Sequence, residues 1–238
     1  MDKSIFLAEL VGTCLMIILG SGVVANVNLN KSGMKGGGSV QITIAWGLAV
    51  LLPCFIFSAT SGANFNPALT IALVADGTID KILFPSYILG QFLGAFLGAI
   101  IVYILFKDHI DRQDNMESIR GIFCTSPSIR NYGRNLLSEI IGTFILVFTI
   151  KGISQVPMAI ASGVDKILVF SIIVSIGMSL GGLTGYAINP ARDLGPRLAY
   201  AILPIKGDKD PDFAYSWIPI VGPIIGALLA VYLYAFMF

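Results

Sequence analysis

Two short stretches of the chain nearly repeat each other, and each carries asparagine followed by proline and alanine. One runs over residues 61–68 and includes Asn66-Pro67-Ala68, and the other runs over 184–191 and includes Asn189-Pro190-Ala191. Asparagine is a good helix N-cap and proline is favoured at the first helical position, so each motif predicts a helix start. Because both motifs lie in very apolar sequence too short to continue across a bilayer, we predict two half-helices that end inside a membrane.

The asparagine of each motif has the chemistry to contact a polar solute. Its carboxamide oxygen can cap the half-helix, which leaves the NH2 group to donate hydrogen bonds to a permeating hydroxyl group or water. Non-helical backbone at membrane depth is tolerated only against protein or a water-filled cavity, so the preceding residues should expose carbonyl oxygens along a polar lumen. These predicted acceptors are Gly62, Ala63, Asn64 and Phe65 in the first stretch and Gly185, Tyr186, Ala187 and Ile188 in the second.

Composition favours a membrane protein and argues against several other classes. The 238 residues are 55% hydrophobic and 12% charged, with a mean hydropathy of +0.84, whereas soluble domains are about 25% charged. The 15 basic and 14 acidic residues nearly cancel, so no nucleic-acid partner is predicted. Three cysteines and one histidine lack metal-ligand spacing, and no nucleophile–base set or phosphate loop appears. We therefore predict no enzyme activity, no metal and no cofactor.

Six stretches are long enough to cross about 30 Å of hydrocarbon, which takes roughly 20 helical residues. Together they form a single transmembrane domain, residues 1–238, and an even number of crossings places both chain termini on the same side of the membrane. The predicted spans lie near residues 5–26, 40–58, 82–106, 135–155, 167–185 and 215–236.

The two halves of the chain match each other in order. Residues 8–13 resemble residues 138–143, and an Asn-Pro-Ala motif follows in each half. We predict repeats at about 4–106 and 134–237, joined by a loop at 107–133. Because each repeat has an odd number of spans, the second is inverted and its half-helix meets the first tip to tip near the bilayer midplane. The positive ends of both half-helices would then repel cations and protons.

The run from Asn189 to Arg197 reads Asn-Pro-Ala-Arg-Asp-Leu-Gly-Pro-Arg and is highly specific. With the rest of the chain, it resembles the major intrinsic protein family, the aquaporins and glycerol facilitators. The resemblance implies an all-α, aquaporin-like membrane protein with six transmembrane helices and two re-entrant half-helices. It also implies a homotetramer in the lipid bilayer of the cell membrane, with one pore per subunit and cytoplasmic termini. Family glutamates that match Glu9 and Glu139 brace the half-helix loops through backbone N–H groups.

Arg192 lies three residues after Asn189, where its guanidinium would offer donors at the pore mouth and repel cations. By alignment to the family's motifs, Trp46, Gly177 and Tyr186 complete this selectivity filter. The small residue Gly177 would leave a wide opening, and the two aromatic rings would face the apolar side of a solute. Such a filter fits a polyol, whose CH groups are buried while its hydroxyl groups are hydrogen-bonded.

Several positions resemble the glycerol-facilitator subgroup more than the water-selective members. Trp46 and Asp193 follow the subgroup pattern, and Asp193 is expected to support the pore structure. Two positions depart from it, because Asn64 stands where histidine is usual and Tyr186 stands where phenylalanine is usual. Both departures would make the pore more polar.

The sequence therefore predicts passive conduction of glycerol and related small uncharged solutes, with some water, and exclusion of protons and ions. The alternatives are a water-dominant aquaporin and a channel for dihydroxyacetone, urea or protonated lactic acid. A coupled transporter would also show inverted repeats and broken helices, but two positive helix tips argue against a bound cation. A structural junction protein with this fold would not need the intact pore residues.

Overall fold

Six long apolar helices dominate the computed structural model, which describes residues 1–238. Each is long and apolar enough to cross a membrane, so the six predicted spans are confirmed, with ends that differ by a few residues. A single 3-10 turn at Lys81–Leu83 leads into the fourth helix. In chain order, the helices are α1 (Lys3–Asn28), α2 (Gly38–Ser61), α3 (Pro67–Ala75), α4 (Phe84–Ile110), α5 (Met116–Phe123), α6 (Tyr132–Ile153), α7 (Pro157–Ser162), α8 (Val164–Thr184), α9 (Pro190–Ile202) and α10 (Ile218–Met237).

The helices α3 and α9 are the two predicted half-helices. They contain 9 and 13 residues, and each begins with proline at its first turn after an asparagine N-cap. At 1.5 Å per residue they are about 14 and about 20 Å long, well short of roughly 30 Å of hydrocarbon. The half-helices therefore enter the membrane region without crossing it, as the Asn-Pro pairs predict.

Close helix crossings hold the spanning helices together, and they occur at matching places in the two halves. The helix α1 packs against α4, and α6 packs against α10. A Cβ atom added at Gly94 would lie 2.2 Å from the carbonyl oxygen of Leu10, and one added at Gly226 would lie 2.2 Å from that of Ile140. Only glycine allows these backbones to approach so closely, which is how membrane helices gain packing contacts without a hydrophobic driving force.

Two short helices lie in segments that the sequence predicted only as loops. The helix α7 connects α6 to α8, and α5 lies within the predicted loop 107–133. Asn115 caps α5 by accepting a hydrogen bond from the backbone N–H of Ser118 at 3.0 Å. One face of α5 buries Ile119, Ile122 and Phe123 and packs against α1 and α9. This loop therefore covers the outer end of α9, on the side of the protein away from the chain termini.

Candidate functional site

The tips of the two half-helices are joined by a pair of reciprocal hydrogen bonds. The Nδ2 atom of Asn66 donates to the carbonyl oxygen of Ile188, and Nδ2 of Asn189 donates to that of Phe65, both at 2.8 Å. The carboxamide oxygens cap their own helices, as in the 2.9 Å bond that Asn66 accepts from the backbone N–H of Ala68. Each NH2 group has two N–H donors, so one remains for a solute.

The loops before the two asparagines have the same unusual backbone conformation. In each loop, three residues at matching positions have positive φ angles, a region that residues other than glycine rarely adopt. Holding such a residue there costs about 1–3 kcal/mol, so other contacts must stabilise the loops. The φ angles are 76° at Gly62, 55° at Ala63 and 50° at Phe65 in the first loop, and 78° at Gly185, 38° at Tyr186 and 44° at Ile188 in the second.

Glu9 holds the first loop from a fully buried position in α1. Its carboxylate accepts hydrogen bonds from the backbone N–H groups of Asn64 at 3.1 Å and Phe65 at 2.8 Å. The hydroxyl of Ser61 donates to it at 2.5 Å, and the side-chain amide of Gln91 donates at 2.8 Å. Four donors thus converge on one carboxylate, which fixes the direction of the loop backbone.

Glu139 occupies the corresponding place in α6 and is also buried. It accepts from the backbone N–H groups of Ala187 at 3.0 Å and Ile188 at 2.8 Å, and from the hydroxyl of Thr184 at 2.7 Å. Neither glutamate lines the central cavity, so both act on a solute only through the loops that they hold.

A continuous cavity of about 520 Å³ runs between the two halves. It extends from Trp46 and Arg192, past Asn66 and Asn189, to the mouth on the side of the chain termini. Buried carbonyl groups need a partner, and several loop carbonyls beside this cavity accept no hydrogen bond from the protein. These carbonyls belong to Gly62, Asn64, Tyr186 and Ala187. The lining includes every predicted carbonyl residue except Gly185.

Arg192 and Trp46 face each other at one end of the cavity. The guanidinium carbon of Arg192 lies 4.1 Å from the centroid of the Trp46 ring, which is a cation–π contact. The side chains are 8% and 6% exposed, respectively, and both line the cavity. The Nη1 atom of Arg192 is buried without a hydrogen-bond partner, so the remaining guanidinium N–H groups are the donors available at the cavity.

The structure changes the predicted role of Gly177. A Cβ atom added at Gly177 would lie 2.5 Å from Cγ2 of Thr43 and 2.9 Å from Cζ of Tyr186, and one added at Gly181 would lie 2.7 Å from Cδ1 of Tyr186. The Tyr186 ring therefore fills the space that Gly177 leaves, and Gly177 does not line the cavity. The tyrosine hydroxyl is buried, so it does not offer the lumen the polar group that the sequence suggested.

Asn64, the other departure from the family pattern, lies beside the first half-helix. Its Nδ2 atom donates to the hydroxyl of Thr70 at 3.1 Å, and that hydroxyl donates to the carbonyl oxygen of Asn66 at 3.1 Å. Gln91, which also contacts Glu9, donates to the same hydroxyl at 2.9 Å. The Oδ1 atom of Asn64 makes no hydrogen bond and is not fully buried, so it offers an acceptor to the cavity.

Asp193 joins α9 to the loop that follows α5. Its carboxylate accepts from Nε of Arg197 at 2.8 Å, and from both the backbone N–H and the hydroxyl of Thr125 at 2.7 Å. Arg197 donates in turn to the carbonyl oxygen of Thr125 at 2.9 Å. Sequence reasoning did not find Thr125, because it lies 68 residues from Asp193 and no local pattern marks it.

Six spanning helices, with two half-helices that meet over a continuous cavity, define a membrane channel. The chain belongs to the major intrinsic protein family, because the family model described as "Major intrinsic protein" matches residues 2–234.

Relatives and a solved structure agree with this assignment. The chain is 51% identical over 235 residues to a "Probable glycerol uptake facilitator protein" of Thermotoga maritima, covering 99% of this chain and 100% of the relative. It is 45% identical over 227 residues to the "Glycerol uptake facilitator protein" of Streptococcus pneumoniae, covering 95% and 96%. The X-ray structure of the aquaglyceroporin from Plasmodium falciparum is similar, with a TM-score of 0.82 at 31% identity, over 97% of this chain and 94% of that one.

Proposed function

We propose that the protein is a passive channel for glycerol and related small uncharged solutes, with some water. The observation that carries the proposal is the contact between Arg192 and Trp46 at the end of the cavity. The indole offers an apolar wall for the CH groups of a polyol, and the guanidinium of Arg192, which lines the cavity, offers donors to its hydroxyl groups. The names of the relatives from Thermotoga maritima and Streptococcus pneumoniae support the same solute.

Beyond this filter, the loops would replace the water that a solute loses. The unpartnered carbonyl groups accept hydrogen bonds from its hydroxyl groups in succession, and the remaining N–H donors of Asn66 and Asn189 donate to its oxygens. An uncharged solute exchanges hydration for these bonds at small cost, because a typical hydrogen bond contributes only about 1 kcal/mol net. The glutamates Glu9 and Glu139 serve this step indirectly, by keeping the loop carbonyls free.

Cations and protons would meet a barrier in the same region. The positive ends of α3 and α9 meet at the paired asparagines, and each carries about half an elementary charge. This is the device known for aquaporin-type pores, and Arg192 adds a full positive charge at the filter.

A second group of solutes is favoured by Asn64. Its free Oδ1 atom is a side-chain acceptor in the cavity, which suits a solute with N–H or additional O–H donors, such as urea, dihydroxyacetone or protonated lactic acid. A water-dominant channel has no comparable support, because the names of the relatives point to glycerol.

We further propose that the protein is a homotetramer in the cell membrane with both termini in the cytoplasm. The even number of spans supports a common side for the termini, and the family resemblance supports the rest. Native mass spectrometry from detergent would give the subunit number, and a monomer at all protein concentrations would contradict the proposal. Protease cleavage of tags at the two ends in right-side-out vesicles would test their location.

The proposed solutes can be separated by a flux panel in proteoliposomes. We expect glycerol, dihydroxyacetone and urea to enter faster than in protein-free vesicles, with rates proportional to concentration and independent of ion gradients. Saturation together with dependence on a sodium or proton gradient would instead identify a coupled transporter. Entry of urea without glycerol would favour the second group of solutes.

A further inference from the structure

Gly20, in the middle of α1, lies against the indole ring of Trp46. A Cβ atom added at Gly20 would lie 2.4, 2.4 and 2.5 Å from Cε3, Cζ3 and Cη2 of that ring. Nearly equal distances to three consecutive ring atoms place the added carbon over the face of the six-membered ring. Ordinary contacts of a Cβ atom begin at 3.4 Å, so no side chain fits at this position unless the ring moves by about 1 Å.

A methyl group at position 20 would push the indole away from α1. Gly20 is buried and does not line the cavity, whereas Trp46 does, so displacement away from α1 carries the ring towards the lumen. There it would meet Arg192, whose guanidinium carbon is 4.1 Å from the ring centroid. Buried side chains are close-packed and pass such shifts to their neighbours.

We propose that Gly20 is a positioning residue that sets the width of the filter. It contacts no solute, but the absence of its side chain determines how far Trp46 stands back from the lumen. The inference rests on the proposed role of Trp46 and Arg192 as the filter, and it adds a residue from a different helix as the determinant of solute size.

The same helix offers a matched control at Gly22. A Cβ atom added there would lie 3.9 Å from Cε2 of Phe106, an ordinary contact with nothing closer. Alanine at either position has the same helix propensity, so the two substitutions differ in what the added methyl group meets. Only Gly20→Ala should affect conduction.

The test compares wild type, Gly20→Ala and Gly22→Ala in proteoliposomes by stopped-flow light scattering. We expect Gly20→Ala to lower glycerol permeability about tenfold while water permeability stays within about twofold, since a narrower filter excludes the larger solute first. Gly22→Ala should match wild type for both. The inference would be overturned if wild type and Gly20→Ala had the same ratio of glycerol to water permeability, whether both permeabilities were unchanged or both fell equally.

A double variant tests the mechanism even if Gly20→Ala is not recovered in the membrane. The smaller ring in Gly20→Ala/Trp46→Phe leaves room for the methyl group, so this protein should fold, and its glycerol-to-water permeability ratio should equal that of Trp46→Phe alone. Failure of the double variant to fold would mean that Gly20 serves only helix packing, which contradicts the inference. Arg192→Ala separates this inference from the proposed filter. If Arg192→Ala changes selectivity but Gly20→Ala does not, the proposed filter stands and the role of Gly20 is wrong. If Arg192→Ala leaves selectivity unchanged, the proposed filter itself is wrong.

Discussion

The side-chain amide of Asn66 donates a 2.8 Å hydrogen bond to the backbone carbonyl of Ile188, in the other half of the chain. Asn189 makes the reciprocal bond to Phe65, so the tip of each half-helix is fixed by the loop before the other. The two motifs therefore work as one unit, and a change in one asparagine is expected to disturb both loops.

Asn66→Asp tests this coupling. Aspartate can still cap α3, but it cannot donate to the carbonyl of Ile188, and it places a negative charge beside that oxygen. Loss of a partner for a buried polar group costs about 1–3 kcal/mol, so we expect a lower Tm in detergent together with a cation leak in proteoliposomes. Asn115→Asp is the matched control, because this exposed N-cap of α5 only accepts a hydrogen bond. Equal Tm values for the two variants would contradict the coupling.

Glu139→Gln tests the support of the second loop. One carboxylate oxygen becomes an NH2 group, so at least one of the donors from Thr184, Ala187 and Ile188 loses its acceptor. We expect a loss of stability of about 1–3 kcal/mol and a fall in both water and glycerol flux, because the loop backbone is strained without this support. The exposed Glu117→Gln on α5 provides the control. Full conduction in Glu139→Gln would show that the loop holds its shape by other means.

Arg192→Ala tests the filter. Removal of the guanidinium takes away both a positive charge and the group packed on Trp46, so the constriction should widen and lose its repulsion of cations. We expect larger polyols to enter and proton or cation leakage to rise, measured with a solute series and a pH-sensitive dye inside proteoliposomes. Arg112→Ala removes an exposed charge elsewhere and should change nothing. Unchanged water, glycerol and proton permeability in Arg192→Ala would count against the filter.

The ion pair between Asp76 and Lys151, at the C-terminal end of α3, predicts a dependence of stability on pH. Partial burial acts to raise the pKa of Asp76, but hydrogen bonds from Lys151 and Thr78 outweigh it, and the pKa lies below its ordinary value of 3.8. When the pKa of a carboxyl group is lower in the folded than in the unfolded protein, its ionised form stabilises the fold. This stabilisation is complete at pH values above the unfolded-state pKa and is lost as the pH falls through the folded-state pKa. Asp76→Asn should therefore lower the Tm at neutral pH, and its difference from wild type should shrink below about pH 4. A Tm difference between wild type and Asp76→Asn that did not change with pH would exclude this charge linkage. Asp114→Asn, at an exposed position, serves as the control.

Features marked by local sequence, by the internal repeat or by the family resemblance could be predicted, whereas contacts that no motif marks could not. The hydropathy of the sequence predicted the six spans, and the two Asn-Pro motifs predicted both half-helices. The contact of Thr125 with Asp193 and the placement of the Tyr186 ring over Gly177 need the packed structure, because they join different helices or loops. The burial of the Tyr186 hydroxyl is a further example, since its residue type alone suggested a more polar pore.

The central claim is that this pore conducts glycerol, and stopped-flow light scattering on proteoliposomes tests it most directly. After mixing with a glycerol gradient, vesicles with the wild-type protein should shrink and then re-swell faster than protein-free vesicles, as water leaves and glycerol enters. Fast shrinkage with re-swelling no faster than in protein-free vesicles would identify a water channel and contradict the account.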